Sequence, residues 1–280
     1  MKNVGVIGGG TMGAGIAEVV ARAGSSVRIV ERDEAIAGAQ QRIEKSLARA
    51  VKARRLSDDD AKATLGRITI TSDLSTFADA ELVIEAMPEI EALKVEYFTK
   101  LDEIVSPDAI LATNTSSIPV IRLANATKHP ERVLGMHFFN PVPIMSLVEI
   151  VTTLKADRAV VDKVTAYARD TLGKKTIESK DAAGFIVNAL LIPYLLGSIR
   201  MYETGFASAE DIDDGMVAGC GYPMGPLRLC DTVGLDICLA VAESLYAEFS
   251  EPHYAPPVLL RRMVDAGYLG RKSGRGFYQY

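Results

Sequence analysis

Residues Gly135–Val151 read GMHFFNPVPIMSLVEIV and carry one histidine and one glutamate in an otherwise apolar segment. The 280-residue chain holds only three histidines. His137 lies in the strand-like run RVLGMHFF, and SLVEIV downstream reads as another strand. Between them NPVP must turn, because Pro141 and Pro143 cannot sit inside a regular ladder. A chain that folds back here brings His137 and Glu149 within reach of each other. A histidine at a strand end, held by a carboxylate, has the geometry of a general base: the carboxylate fixes the tautomer and raises the basicity of the ring. A satisfied core histidine is the other reading. His129 in KHPER and His253 in EPHYAPP read as exposed loop residues.

A second chemistry sits at the N-terminus. NVGVI is a short β-branched run, GGGTMG follows, and AGIAEVVARAG has helical spacing. Gly8, Gly10 and Gly13 match GxGxxG between a strand and a helix, the context in which that motif binds a dinucleotide. Glycines let backbone approach a pyrophosphate, and the helix N-terminus favours the anion. The next strand, SSVRIVERD, ends in Glu31. A carboxylate there accepts hydrogen bonds from a ribose 2′-hydroxyl and repels a 2′-phosphate, which favours NAD over NADP. Arg32 beside it softens that preference.

Three further groups are candidates with two readings each. The hydroxyls and amide of TNTSS, residues 113–117, suit a substrate oxygen or a helix cap. Asn188, in the apolar run GFIVNALLIPYLL, needs a partner if buried, either a substrate carbonyl or another helix. Lys45, Arg49 and Lys52 share one helical face, continued by Arg54 and Arg55. That face is either solvated or a receptor for phosphates.

These residues must be positioned by a scaffold. Residues 34–55 read as a long helix. ITITSD, ELVIEAM, AILATNTS and RVLGMHFF are further strand-like runs, mostly separated by helical patterns or loops. The alternation predicts an α/β Rossmann-type, doubly wound, mostly parallel sheet. From Phe185 onward the patterns are helical, which predicts residues 1–183 as a nucleotide-binding domain and 184–280 as an all-helical second domain. The apolar stretch Gly184–Met201 contains Asn188, Pro193 and Arg200, and a buried helix explains it better than a membrane span. Hydrophobic residues make up 48% and charged residues 24%, as in a globular protein with a real core. A net charge of −5 argues against nucleic-acid partners. Cys220, Cys230 and Cys238 form no CxxC pair, so no zinc site is expected. Sparse cysteine and an N-terminus that enters directly into a strand fit a cytoplasmic protein.

Taken together, the chain resembles the 3-hydroxyacyl-CoA dehydrogenase family, and within it the stand-alone bacterial 3-hydroxybutyryl-CoA dehydrogenases. The likeness runs from GVIGGGTMGAGIA through NTSS, HFFNPVP and GFIVN to GYPMGP and GRKSGRGFY. It implies a nucleotide-binding domain followed by a helical domain that drives homodimerisation, with the active site in the cleft between them. It implies a catalytic dyad of His137 and Glu149, aided by Ser116 and Asn188. NAD contacts fall on Gly8, Gly9, Gly10, Thr11, Met12 and Gly13, and on Glu31, Glu89, Lys94, Ser116, Asn140 and Lys272. The 3′-phospho-ADP part of CoA meets the basic stretch, with Ser46, Arg49, Lys52 and Arg54 as contacts; one family lysine position holds Ala53. The implied substrates are 3-hydroxybutyryl-CoA and acetoacetyl-CoA, in fatty-acid or butyrate metabolism. Two rivals share the scaffold: a dehydrogenase of free hydroxy or sugar acids, and a non-catalytic, crystallin-like relative.

Overall fold

A computed structural model describes all residues, Met1–Tyr280. The chain divides into two compact units, Met1–Ala182 and Ala183–Tyr280.

The first unit is built on one eight-stranded sheet. In chain order its elements are β1 (Asn3–Ile7), α1 (Thr11–Arg22), β2 (Ser26–Val30), α2 (Asp33–Lys52), α3 (Asp58–Leu65), β3 (Ile68–Thr71), β4 (Leu82–Glu85), α4 (Glu91–Ile104), β5 (Ile110–Thr113), α5 (Val120–Ala124), β6 (Val133–Phe138), β7 (Leu147–Thr152), α6 (Arg158–Ala166) and β8 (Lys175–Lys180). The strand order is β3-β2-β1-β4-β5-β6-β7-β8. Every neighbouring pair is parallel except β6 and β7. The chain therefore leaves β1 toward β2 and returns past it to β4, which creates the crevice where such sheets bind ligands. β4, β5 and β6 are buried along their whole length, as parallel strands covered on both faces must be.

Two elements differ from the sequence expectation. The helix expected over 34–55 ends at Lys52. It closes in a Schellman motif: Arg55 N–H donates to Ala50 O at 2.9 Å and Arg54 N–H to Val51 O at 2.8 Å, with Arg54 left-handed at φ 55°. A fresh helix, α3, then starts from the Ser57 cap, whose hydroxyl accepts Asp60 N–H at 3.0 Å. The second difference is β8, a strand the sequence reading did not expect. KTIESK is largely polar and only Ser179 is buried, so it lacks the apolar signature of the inner strands.

The second unit is helical: α7 (Val187–Glu203), α8 (Ala209–Cys220), α9 (Pro226–Val233), α10 (Leu235–Phe249) and α11 (Val258–Asp265). Its core gathers Leu195, Leu196, Ile199, Leu227, Leu235 and Leu245. Buried Asp213 and Asp231 organise the rest. Asp213 accepts the N–H groups of Leu227 and Arg228 at the start of α9, and Asp231 accepts those of Phe277 and Tyr278. The expected burial of α7 holds only for one face, because Leu190 is 73% exposed. No helix is long and apolar enough to cross a membrane.

Candidate active site

The turn between β6 and β7, with no room for a crossover helix, forces the two strands antiparallel. His137 and Glu149 are directly opposed in that register. His137 is the penultimate residue of β6, so it lies at the carboxyl edge of the parallel strands. It is 6% exposed and Glu149 is fully buried. Nδ1 of His137 lies 2.6 Å from Glu149 Oε2. An ionised carboxylate only accepts, so Nδ1 is the donor and the ring's lone pair is on Nε2. The Phe139 ring packs against the imidazole at 4.6 Å between centroids.

The TNTSS segment follows β5 and is tied to the same edge. Asn114 Oδ1 accepts the Phe138 N–H at 2.8 Å, one residue beyond His137. Thr113 donates to Glu85 at 2.6 Å, and the Thr115 hydroxyl donates to Glu89. Glu89 Oε1 also accepts the N–H groups of Ser116 and Ser117, each at 3.1 Å. Most of the polar groups here are thus spent on shaping the turn, while the half-buried Ser116 hydroxyl makes no bond within the chain. Behind the turn Lys94, 1% exposed, lies 2.7 Å from Glu89 and 3.1 Å from Glu85. Burial works against the charge of Glu89, but the Lys94 ammonium and these donors outweigh it and hold its carboxyl below the usual range. Burial pushes the Glu85 carboxyl up, with Lys94 and Thr113 opposing.

A cavity of about 950 Å³ runs over the glycine loop. Its lining includes Gly8, Gly10, Thr11, Met12, Glu31 and Met87. Gly8 has φ +91°, and a Cβ there would meet Ala86 O at 2.7 Å. At Gly10 an added Cβ would meet nothing within 4 Å, so that face of the loop is open. No side chain caps α1, which leaves its first N–H groups to an anion. These features fit a dinucleotide with its pyrophosphate on the loop. Glu31 stands beside the glycine loop in this cavity, where its carboxylate accepts Gly9 N–H at 2.9 Å and Arg32 N–H at 2.8 Å. The Arg32 guanidinium also lines this cavity and pairs with Glu34 at 3.1 Å and with Glu31 at 4.0 Å. An exposed Asn140, joined to Pro141 by a cis bond, continues from β6.

A second cavity of about 470 Å³ lies between α1, α2 and the Asn140–Pro143 turn. Lys45, Ser46 and Arg49 line it, together with Arg42, which the sequence reading passed over. Arg42 also donates to Gly9 O at 3.3 Å. Lys52 and Arg54 are not part of this lining; Arg54 lies past the end of α2.

Asn188 and Lys272 belong to the second unit. Asn188 sits in the first turn of α7 and is half-exposed, not buried, so the demand for an internal partner falls away. Lys272 donates to Asp236 at 2.6 Å. Glu85 and Lys174 are further buried charges here that are not among the sequence candidates. Lys174, 7% exposed, donates to Val142 O at 2.7 Å and Met145 O at 2.6 Å and so holds the turn between the two dyad strands. Glu85 had a signal, a carboxylate inside the apolar run ELVIEAM; Lys174 had none.

The family model for the 3-hydroxyacyl-CoA dehydrogenase NAD binding domain matches residues 3–182, and that for the C-terminal domain matches 184–280. A 3-hydroxybutyryl-CoA dehydrogenase of Mycobacterium tuberculosis is 54% identical over 100% of this chain and 99% of its own length. A solved M. tuberculosis structure, FadB2, superposes with TM-score 0.99 at 54% identity, covering 100% and 99% of the two chains. The (S)-3-hydroxybutyryl-CoA dehydrogenase of Ralstonia eutropha superposes with TM-score 0.95 at 43% identity, again covering 100% and 99%. With an NAD-binding unit, a helical unit and full-length likeness to these dehydrogenases, the chain belongs to the 3-hydroxyacyl-CoA dehydrogenase family.

Proposed function

We propose that the chain catalyses the reversible, NAD-dependent oxidation of (S)-3-hydroxyacyl-CoA to 3-ketoacyl-CoA, with 3-hydroxybutyryl-CoA and acetoacetyl-CoA as its substrates. The observation that carries this reading is the His137–Glu149 pair, opposed at the carboxyl edge of a sheet whose glycine loop accepts a dinucleotide. NAD, when bound, supplies the hydride acceptor for C3 of the substrate. His137 Nε2 takes the proton of the 3-hydroxyl as the C3–O bond becomes a ketone. Glu149, already bonded to Nδ1, stabilises the imidazolium that results. In the reverse direction the same Nε2 returns the proton to the ketone oxygen. Ser116 and Asn188 orient the substrate oxygens. Gly8–Gly13, Glu31, Glu89, Lys94, Asn140 and Lys272 serve the NAD site, Lys94 by fixing Glu89. Exposed Leu190 and Phe206 in the helical unit, 73% and 78% accessible, support a homodimer that covers them. We assign the enzyme to the cytoplasm and to fatty-acid or butyrate metabolism.

The basic cavity supports a CoA ester over a free acid, because Arg42, Lys45 and Arg49 line it and the buried Glu18 that acts on Arg49 offsets at most one of the three charges. Acetoacetyl-CoA is expected to be reduced and free acetoacetate left untouched under the same conditions. Arg49→Ala should raise KM for acetoacetyl-CoA about tenfold, with kcat and KM for NADH within about twofold, as for one lost charge-assisted hydrogen bond. Comparable turnover of the free acid would overturn the substrate assignment.

A further inference from the structure

Glu85 ends β4, is fully buried, and braces the Ser116 turn only through Thr113, whose hydroxyl it orients toward itself. One carboxylate, Glu89, already shapes that turn, and one cation, Lys94, already neutralises it. Yet Glu85 brings a second charge to the same ammonium. Its Oε1 accepts Met87 N–H at 2.6 Å and lies 3.1 Å from Lys94 Nζ; its Oε2 accepts Thr113 Oγ1–H at 2.6 Å. Thr113 Oγ1 in turn accepts Thr115 N–H at 3.1 Å, so its own proton points to Glu85. Every neighbour donates, which is a surrounding for the ionised form. Burial pushes the Glu85 carboxyl up, but the donors and the ammonium oppose it, and with both carboxylates ionised the triad carries a net charge of about −1 in a water-poor pocket. Burying a surplus charge is costly, and the Met87 N–H and Thr113 hydroxyl need an acceptor here but not a charged one.

The surplus lies where the reaction changes the charge of the cofactor. Proton and hydride leave adjacent atoms of one alcohol carbon, so the nicotinamide ring must lie beside His137. Asn114 ties the Ser116 turn to that same strand end. The ring is cationic when oxidised and neutral when reduced. A fixed negative charge behind it stabilises only the first.

We propose that Glu85 sets the relative affinity of the site for NAD⁺ over NADH, through the net negative charge of its triad with Lys94 and Glu89. The proposal deepens the dehydrogenase reading and rests on it. Loss of one unit charge near the ring, at an effective dielectric between those of protein and water, corresponds to a change of about fivefold in the affinity ratio.

The test is calorimetric titration of NAD⁺ and of NADH, separately, into the full-length protein and into Glu85→Gln, with circular dichroism as the folding check. The ratio of Kd for NAD⁺ to Kd for NADH should rise about fivefold in Glu85→Gln. Glu85→Asp, which keeps the charge, should hold the ratio within about twofold of wild type, so the pair of variants separates charge from packing. Equal weakening of both forms, with the ratio unchanged, makes Glu85 a structural residue only and overturns the proposal. Wild-type protein that binds neither form overturns the dehydrogenase reading together with it; an unchanged ratio on a wild-type protein that binds both overturns only the role of Glu85.

Discussion

His137→Gln is expected to lower kcat for acetoacetyl-CoA reduction by about a thousandfold, the range of a lost general acid–base group. NADH affinity should stay within about twofold. The imidazole is 6% exposed and bonded through Nδ1 to a fully buried carboxylate, so its placement is set before substrate arrives. Glutamine keeps a polar side chain opposite Glu149 but cannot shuttle a proton at neutral pH. The glycine loop and Glu31 are separate from this pair in the sheet, since β1 and β2 carry the one and β6 and β7 the other. Steady-state kinetics with a parallel NADH titration checks both halves. Near-normal turnover would remove His137 as the base.

Gly13→Ala is the second large effect. A Cβ at Gly13 would lie 1.7 Å from Gly8 O and 2.9 Å from Gly8 C. Both are backbone atoms of the loop itself, with no flexible end to give way. Either α1 lifts from β1 or the loop reshapes, at a cost of about 3 kcal/mol or more. For a chain of this size that is a fall in melting temperature of about 5 °C or more. NADH affinity should fall at least about tenfold, because the loop and the α1 N-terminus that receive the pyrophosphate move together. Differential scanning calorimetry and NADH titration read the two effects. A variant with wild-type melting and wild-type NADH affinity would contradict this account of the loop.

The nucleotide-binding unit was legible because its signals are local. Strand, glycine turn, helix and strand follow one another within Asn3–Val30, and β-branched runs mark the buried strands. The dyad was legible for the same reason: two prolines force one hairpin, and a hairpin pairs residues that the chain itself brings back. The buried network behind Ser116 was less so. Glu85, Glu89, Lys94 and Thr115 come from β4, the loop after it, α4 and the β5 turn, and their meeting depends on the order of strands rather than on spacing. β8 was missed because an edge strand can be polar and still pair through its backbone. The end of α2 was missed because its left-handed residue is Arg54, where the usual signal is glycine. Asn188 reads as buried by its apolar neighbours, but those neighbours are themselves partly exposed, Leu190 most of all.

The most direct measurement is the loss of NADH absorbance after acetoacetyl-CoA is added to the wild-type protein, with NADPH in a parallel cuvette. Rapid loss with NADH and little with NADPH is the expected result, because the proposed ribose partner is the Glu31 carboxylate, which repels a 2′-phosphate, while the Arg32 guanidinium beside it is already shared between Glu34 and Glu31. No loss with NADH, for acetoacetyl-CoA and longer 3-ketoacyl-CoA esters alike, would contradict the assignment of the His137–Glu149 pair to this reaction.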